Sequence, residues 1–263
     1  MGKSFLFISG KGGVGKSTLS SAIAVAAAEQ GRRVALIDGD LGLRSLDMML
    51  GLQDKVLYDL SDVVAHTCPL DKAMVWHPSH PTLRLLVGGQ GAKPKDFRKQ
   101  DLLKILTTLK KRFDLVLVDG PAGLGRGVRN FTGITDEVVI ISTPDPVAQR
   151  AAEKLASLLF QSGIRPFLLL NRINRDLVIS GGLPQPGAQA LSLDLPLLGA
   201  VEEGNTVYSA MLEGKTAYES DDAMIRNAVE DVLKRMQGMN TPVEDILPPR
   251  LNLFQRIWKW LED

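Results

Sequence analysis

One cysteine in 263 residues, Cys68, rules out a disulfide framework and leaves too few thiolates for a metal cluster held by a single chain. It reads as a reduced cytosolic thiol. Excess charge is equally scarce: 31 basic against 30 acidic side chains leave a formal net charge of +1. The chain therefore has no general attraction for nucleic acid or anionic lipid, and any such partner must be held by a local patch. No apolar run reaches the ~18 residues needed to span a bilayer, no leader of charged, apolar and small residues opens the chain, and no internal repeat runs through it. The expectation is a protein that is made and stays in the cytosol. With 44% hydrophobic and 23% charged residues, the composition suits one large α/β domain with a full core.

Short β-rich apolar runs at 4–9, 34–37, 83–87, 115–118, 138–142, 167–170 and 197–201 alternate with segments of helical period such as 101–112, 147–161 and 221–237. Near-continuous apolar strands separated by helices predict a mostly parallel twisted sheet covered on both faces, with ligand loops at the carboxyl ends of the strands. The expected division is one α/β domain over 1–237, a proline-bearing linker over 238–249 with Pro242, Pro248 and Pro249, and a short terminal segment over 250–263. His66, His77 and His80 lie around an expected loop without ligand spacing.

Between the first strand and the first helix stands Gly10-Lys11-Gly12-Gly13-Val14-Gly15-Lys16-Ser17-Thr18, a phosphate-binding loop in the context such a loop requires. Its glycines let successive backbone N–H groups face phosphate oxygens, and the helix starting near Lys16 adds its positive dipole end. Lys16 should reach the β- and γ-phosphates of ATP, and the Ser17 hydroxyl should ligate Mg²⁺. Asp119 follows the run 115–118 and is the metal-side carboxylate. Asp40, after the second strand, is the candidate for positioning the attacking water, with Asp38 beside it as a metal-linked or switch carboxylate. Asp-Gly also favours turns, so Asp38 and Asp40 as plain turn formers is the alternative. Lys11, early in the loop, need not face its own nucleotide. It can act in trans on a γ-phosphate presented by a second copy, the alternative being a solvent-facing lysine.

The run Lys11 to Thr18 resembles the deviant Walker A motif of the MinD/ParA family of ATPases, whose first lysine crosses the dimer interface. The pieces Asp38 to Asp47, Tyr58-Asp59, Asp119 to Gly123 and Leu198 to Glu203 extend the likeness over nearly the whole chain. The resemblance implies a P-loop NTPase fold and assigns Lys11, Lys16 and Asp40 to catalysis. It places Gly12, Gly13, Val14, Gly15, Ser17 and Thr18 on the nucleotide, Ser17, Asp38 and Asp119 on the metal side, and Asn171 against adenine. It further implies a slow ATP hydrolase that dimerises with ATP, associates with the inner face of the cytoplasmic membrane and helps place the division septum by recruiting regulators of the MinC and MinE type. Flagellar-number and DNA-partitioning ATPases of the same family are the alternatives. For DNA, Lys93, Lys95, Arg98, Lys99, Lys104, Lys110, Lys111 and Arg112 are the only basic concentration, so no nucleic-acid partner is expected. Two departures leave the regulators open: Gly123-Leu124-Gly125-Arg126-Gly127 stands where the family usually has a glutamate, and Val147 to Lys154 lacks part of the acidic pattern of the partner-binding helix.

At about 100° per residue, Leu251, Leu253, Phe254, Ile257, Trp258, Trp260 and Leu261 fall on one half of a helical wheel and the polar residues on the other. A short amphipathic segment with two tryptophans reads as an interfacial membrane anchor, and the family's C-terminal membrane-targeting helix implies the same. Docking on its own domain is the alternative.

Overall fold

The computed structural model describes residues 1–40, 44–91 and 93–246. The membrane-facing residues expected from Leu251 to Leu261 lie outside the described residues. In chain order the elements are β1 (Lys3–Ser9), α1 (Lys16–Glu29), β2 (Val34–Asp38), α2 (Leu46–Met49), α3 (Leu60–Val64), α4 (Leu70–Ala73), β3 (Met74–Trp76), β4 (Leu83–Leu86), α5 (Lys99–Arg112), β5 (Leu115–Ala122), α6 (Arg126–Phe131), β6 (Glu137–Ser142), α7 (Pro146–Gln161), β7 (Phe167–Ile173), α8 (Arg175–Ile179), α9 (Pro186–Ser192), β8 (Leu197–Glu202), α10 (Thr206–Leu212) and α11 (Ala223–Met236).

Eight strands form one sheet in the order β3-β4-β2-β5-β1-β6-β7-β8. Every pair is parallel except β3 with β4. Strand alternation sorts β1 between two cores. Phe5 and Phe7 join α1 and α11 on one face, and Leu6 and Ile8 join α5 and α7 on the other. Nothing polar interrupts residues 5–8, because both sides of this central strand are dry. The small residues of α1, Ala22 to Ala28, are all buried, which lets that helix lie close against the sheet.

Seven strands fall where the apolar runs predicted them. The antiparallel edge strand β3 has no such run, since three residues are too few to carry a period. Asp119 does not end its strand. β5 continues to Ala122, with a register break against β1 between Phe7 and Ser9. The expected linker is no free tether either. Residues 238–246 are irregular, yet Ile246 is buried in the core. His77 and His80 flank the β3–β4 turn, buried and with ring centroids 4.7 Å apart.

Candidate active site

β1 is the strand at which connections diverge. From it the chain crosses to β2 on one side, and from β5 it crosses back to β6 on the other, so the crevice beyond its carboxyl end is the natural ligand position. The loop 10–15 occupies that crevice. Two of its glycines are required by space, and Gly15 by torsion as well. A Cβ on Gly10 would stand 2.3 Å from the Ala151 carbonyl oxygen of α7, and one on Gly15, at φ +87°, would stand 2.1 Å from Asn171 Nδ2. Gly15 caps α1 in the left-handed region, and the helix begins with Lys16.

Lys16 is buried and donates to Asp119 Oδ1 at 2.9 Å and to Asp40 Oδ2 at 3.4 Å. Burial alone would lower its pKa. The charges of Asp119, Asp40 and Asp38 outweigh that and raise it, so the ammonium is held charged. Asp119 is fully buried, and desolvation pushes its carboxyl above the ordinary range against the pull of Lys16 and the Ser17 hydroxyl, which donates to Oδ2 at 2.5 Å. Asp38 lies opposite Asp119 in the β2–β5 register. Its carboxylate accepts from the Asp40 N–H at 3.1 Å and the Leu46 N–H at 3.5 Å. Burial, reinforced by the Asp119 charge, raises its pKa to about 7. Asp38 thus shapes the turn leading to Asp40.

Asp119 and Asp40 against one ammonium leave excess negative charge where the Ser17 hydroxyl and Asp119 converge. That donor set, all hard oxygen, fits a Mg²⁺ ion that completes its shell with phosphate and water. Among the described residues no group of three or more His, Cys, Asp or Glu side chains is arranged to hold a metal ion by itself.

Lys11 stands apart from this cluster. It is about half exposed at the rim of the loop, 3.5 Å from Asp145 Oδ1. Asp145 was not legible as a site residue, although Thr143-Pro144-Asp145-Pro146 after a strand is a helix-start signature. Its carboxylate accepts from Thr143 Oγ1 at 2.6 Å and caps α7 through the Ala148 N–H, and these bonds, led by Thr143, hold its pKa low. Asn171, expected against adenine, makes a contact that sequence reasoning missed: its Nδ2 donates to the Val14 carbonyl at 2.8 Å and props the phosphate loop from β7. It also lines a cleft of about 410 Å³ together with Thr18, Glu203, Val207, Tyr208 and Met211, beside the loop and large enough for a nucleoside. Of the eight basic residues between Lys93 and Arg112, Arg98, Lys104, Lys110 and Arg112 are in ion pairs, which disperses the one basic concentration.

Comparison with known proteins places this geometry among relatives. The family described as ParA, NUBPL iron-transfer P-loop NTPase, matches residues 1–171. A putative septum site-determining protein MinD of Chlorella vulgaris is 33% identical over 252 residues, 95% of this chain and 89% of that protein. The septum site-determining protein MinD of Bacillus subtilis is 32% identical over 247 residues, covering 93% and 92%. Among solved structures, the MinC:MinD cell division protein complex of Aquifex aeolicus superposes with a TM-score of 0.84 at 28% identity, covering 94% of this chain and 100% of that one. The septum site-determining protein MinD of Pyrococcus horikoshii, complexed with Mg-ADP, superposes with a TM-score of 0.78 at 26% identity, covering 90% and 96%.

Proposed function

The chain belongs to the ParA/MinD family of P-loop ATPases, and from that premise we propose that it is a nucleotide-dependent switch that dimerises with ATP, gathers on the inner face of the cytoplasmic membrane and places the division septum through regulators of the MinC and MinE type. The observation that carries the dimer is the separation of the two lysines. Lys16 is buried among carboxylates, whereas Lys11 is half exposed and pairs only with the rim residue Asp145, which supports a role for it toward a second copy's phosphate.

In the reaction, Lys16 exchanges its bond to Asp119 for the β- and γ-phosphates, while the N–H groups of 12–16 hold the same oxygens. Bound Mg²⁺ would offset charge on the phosphates between Ser17 and Asp119. Asp40, freed from Lys16, orients the water in line with the γ-phosphate. Lys11 leaves Asp145 to stabilise the charge that develops across the dimer. Asn171 keeps the loop in register and offers its amide edge to the base.

Septum placement is favoured over DNA partitioning because the relatives near 30% identity carry septum-site names, whereas the ParA family ATPase of Chlorobium tepidum, at 19% identity, shares the fold alone. Iron transfer, which the family description names, lacks its thiols in a chain with one buried cysteine. The test is co-sedimentation with vesicles of phosphatidylglycerol and phosphatidylethanolamine. Pelleting should require ATP with Mg²⁺, fail with ADP, and be lost on removal of 250–263 or in Trp258→Glu. Pelleting by the truncated chain would sink the anchor.

A further inference from the structure

Ion pairing takes Arg98, Lys104, Lys110 and Arg112 out of the basic run between β4 and β5, yet it leaves Lys93, Lys95 and Lys99 exposed. The fold sets α6 against them. Asn130 Nδ2 donates to the Pro94 carbonyl at 2.7 Å, and a Cβ on Gly127 would stand 3.7 Å from Pro94 Cγ. Just past α6, a Cβ on Gly133 would stand 3.2 Å from Lys99 Nζ. Gly127, Val128, Asn130 and Phe131 turn inward, which leaves Arg126 and Arg129, three apart on one side of the helix, exposed beside the lysines. None of these five cations is in an ion pair among the described residues. With Arg98 they make six cations in 93–99 and 123–133, against the single carboxylate of Asp96. In a chain of net charge +1 such an excess is a local feature, and neither half of it shows its size in the sequence.

The patch adjoins the nucleotide machinery. A short loop joins Arg126 to the end of β5, the strand of Asp119, and the Gly123 N–H of that loop donates to the Ser9 carbonyl at 2.8 Å, next to the start of the phosphate loop. In the same loop Leu124 is 42% exposed. We propose that this face docks an acidic segment of a partner protein, its carboxylates on Lys93, Lys95, Lys99, Arg126 and Arg129 and an apolar side chain on Leu124. The inference goes beyond the switch proposed above and needs neither the septum nor the membrane. The sign of the charge selects an anionic partner. Asp96 and Leu124 select within that class. A nucleic-acid backbone presents one sign of charge throughout, whereas a peptide can space its carboxylates around Asp96 and bury Leu124. One partly exposed leucine is too little apolar area to enter a bilayer. A partner held there touches the segment between Asp119 and α6, so its affinity and that of the nucleotide should be linked, each changing the other by the same factor.

The test uses the full chain with Mg²⁺ and either a non-hydrolysable ATP analogue or ADP. The probe is a fluorescein-labelled peptide of glutamates with interspersed leucines, read by anisotropy beside its counterpart with lysine in place of glutamate. The acidic peptide should bind and the basic one should not. Arg126→Glu with Arg129→Glu should weaken binding about tenfold or more, and the pair of Arg→Gln changes, which is gentler on α6, about threefold. Arg32→Glu with Lys111→Glu, at exposed positions at the amino end of the sheet, should leave it unchanged. Calorimetry should show the ATP analogue bound as tightly by every variant as by the parent, and peptide affinity should differ about threefold or more between the two nucleotides. An acidic peptide that fails to bind, equal weakening at the two ends of the sheet, or equal affinity with both nucleotides would overturn the proposal. A DNA duplex bound by the parent and released by Arg126→Gln with Arg129→Gln would give the face to nucleic acid instead. Pelleting with vesicles of phosphatidylglycerol and phosphatidylethanolamine that is abolished by the same pair would give it to lipid.

Discussion

At the scale of single residues, Lys16 and its carboxylates decide both stability and nucleotide affinity. Breaking a buried ion pair from one side costs about 3–5 kcal/mol, because the remaining charge stays buried and unpaired. Lys16→Met should therefore destabilise by about that amount in denaturant titration, and adding Asp119→Asn should recover most of it. Neither variant should bind ATP within about 10²-fold of the parent by calorimetry, since the phosphates lose a charge-assisted donor in both. Asp38 gives a pH signature. Its pKa is raised from the unfolded carboxylate range to about 7, so the folded state keeps a proton that the unfolded state releases. Its contribution to stability is fully present below about pH 4 and is lost as pH rises through 7. The stability of the nucleotide-free protein should carry that downward slope, and Asp38→Asn should flatten it; an unchanged slope would place the titration elsewhere.

The elements show how local signals become a site. Asp145 caps α7 and also faces Lys11, so one side chain couples a helix start to the loop across the β1–β6 pair. Asp145→Ala should remove about 1 kcal/mol of capping and lower Tm by about 2–4 °C in calorimetry. A larger fall would mean the carboxylate supports more than the cap. The loop itself was legible because its parts are contiguous: glycines, lysine and hydroxyl follow one another between a strand and a helix. Asp119 was legible by type, but its strand was read four residues short, since Gly120 and Pro121 look like an ending. Pairing with β1 carries the strand past them, and a Cβ on Gly120 would stand 2.8 Å from Leu6 Cδ1.

For the whole molecule, the consequential feature is an asymmetry of lysines, one interior and one at the rim. Lys11→Ala should leave the fold and Mg-ATP binding nearly intact while abolishing ATP-dependent dimerisation in light scattering; a persisting dimer would remove the trans role. The segment beyond α11 matters at this scale too: Arg235 donates to the Leu198 carbonyl of β8 and to the Thr241 and Pro242 carbonyls, and Gln185 pairs with the Ile246 backbone, which ties residues 241–246 to the body.

Alternating apolar runs and helical periods were enough to determine a parallel sheet sheathed by helices, and the contiguous loop was enough to determine a phosphate site, because both depend on neighbours in the chain. Only the tertiary structure decided that Lys16 rests on Asp119 and Asp40, that Asn171 props the loop, that Lys11 faces Asp145, and that Gln185 and Arg235 hold the segment once read as a linker. Those partners are ordinary in type and mostly distant in sequence, and Asn171, Gln185 and Arg235 grip backbone carbonyls that every residue carries. Nothing but the burial and register of the folded chain selects them.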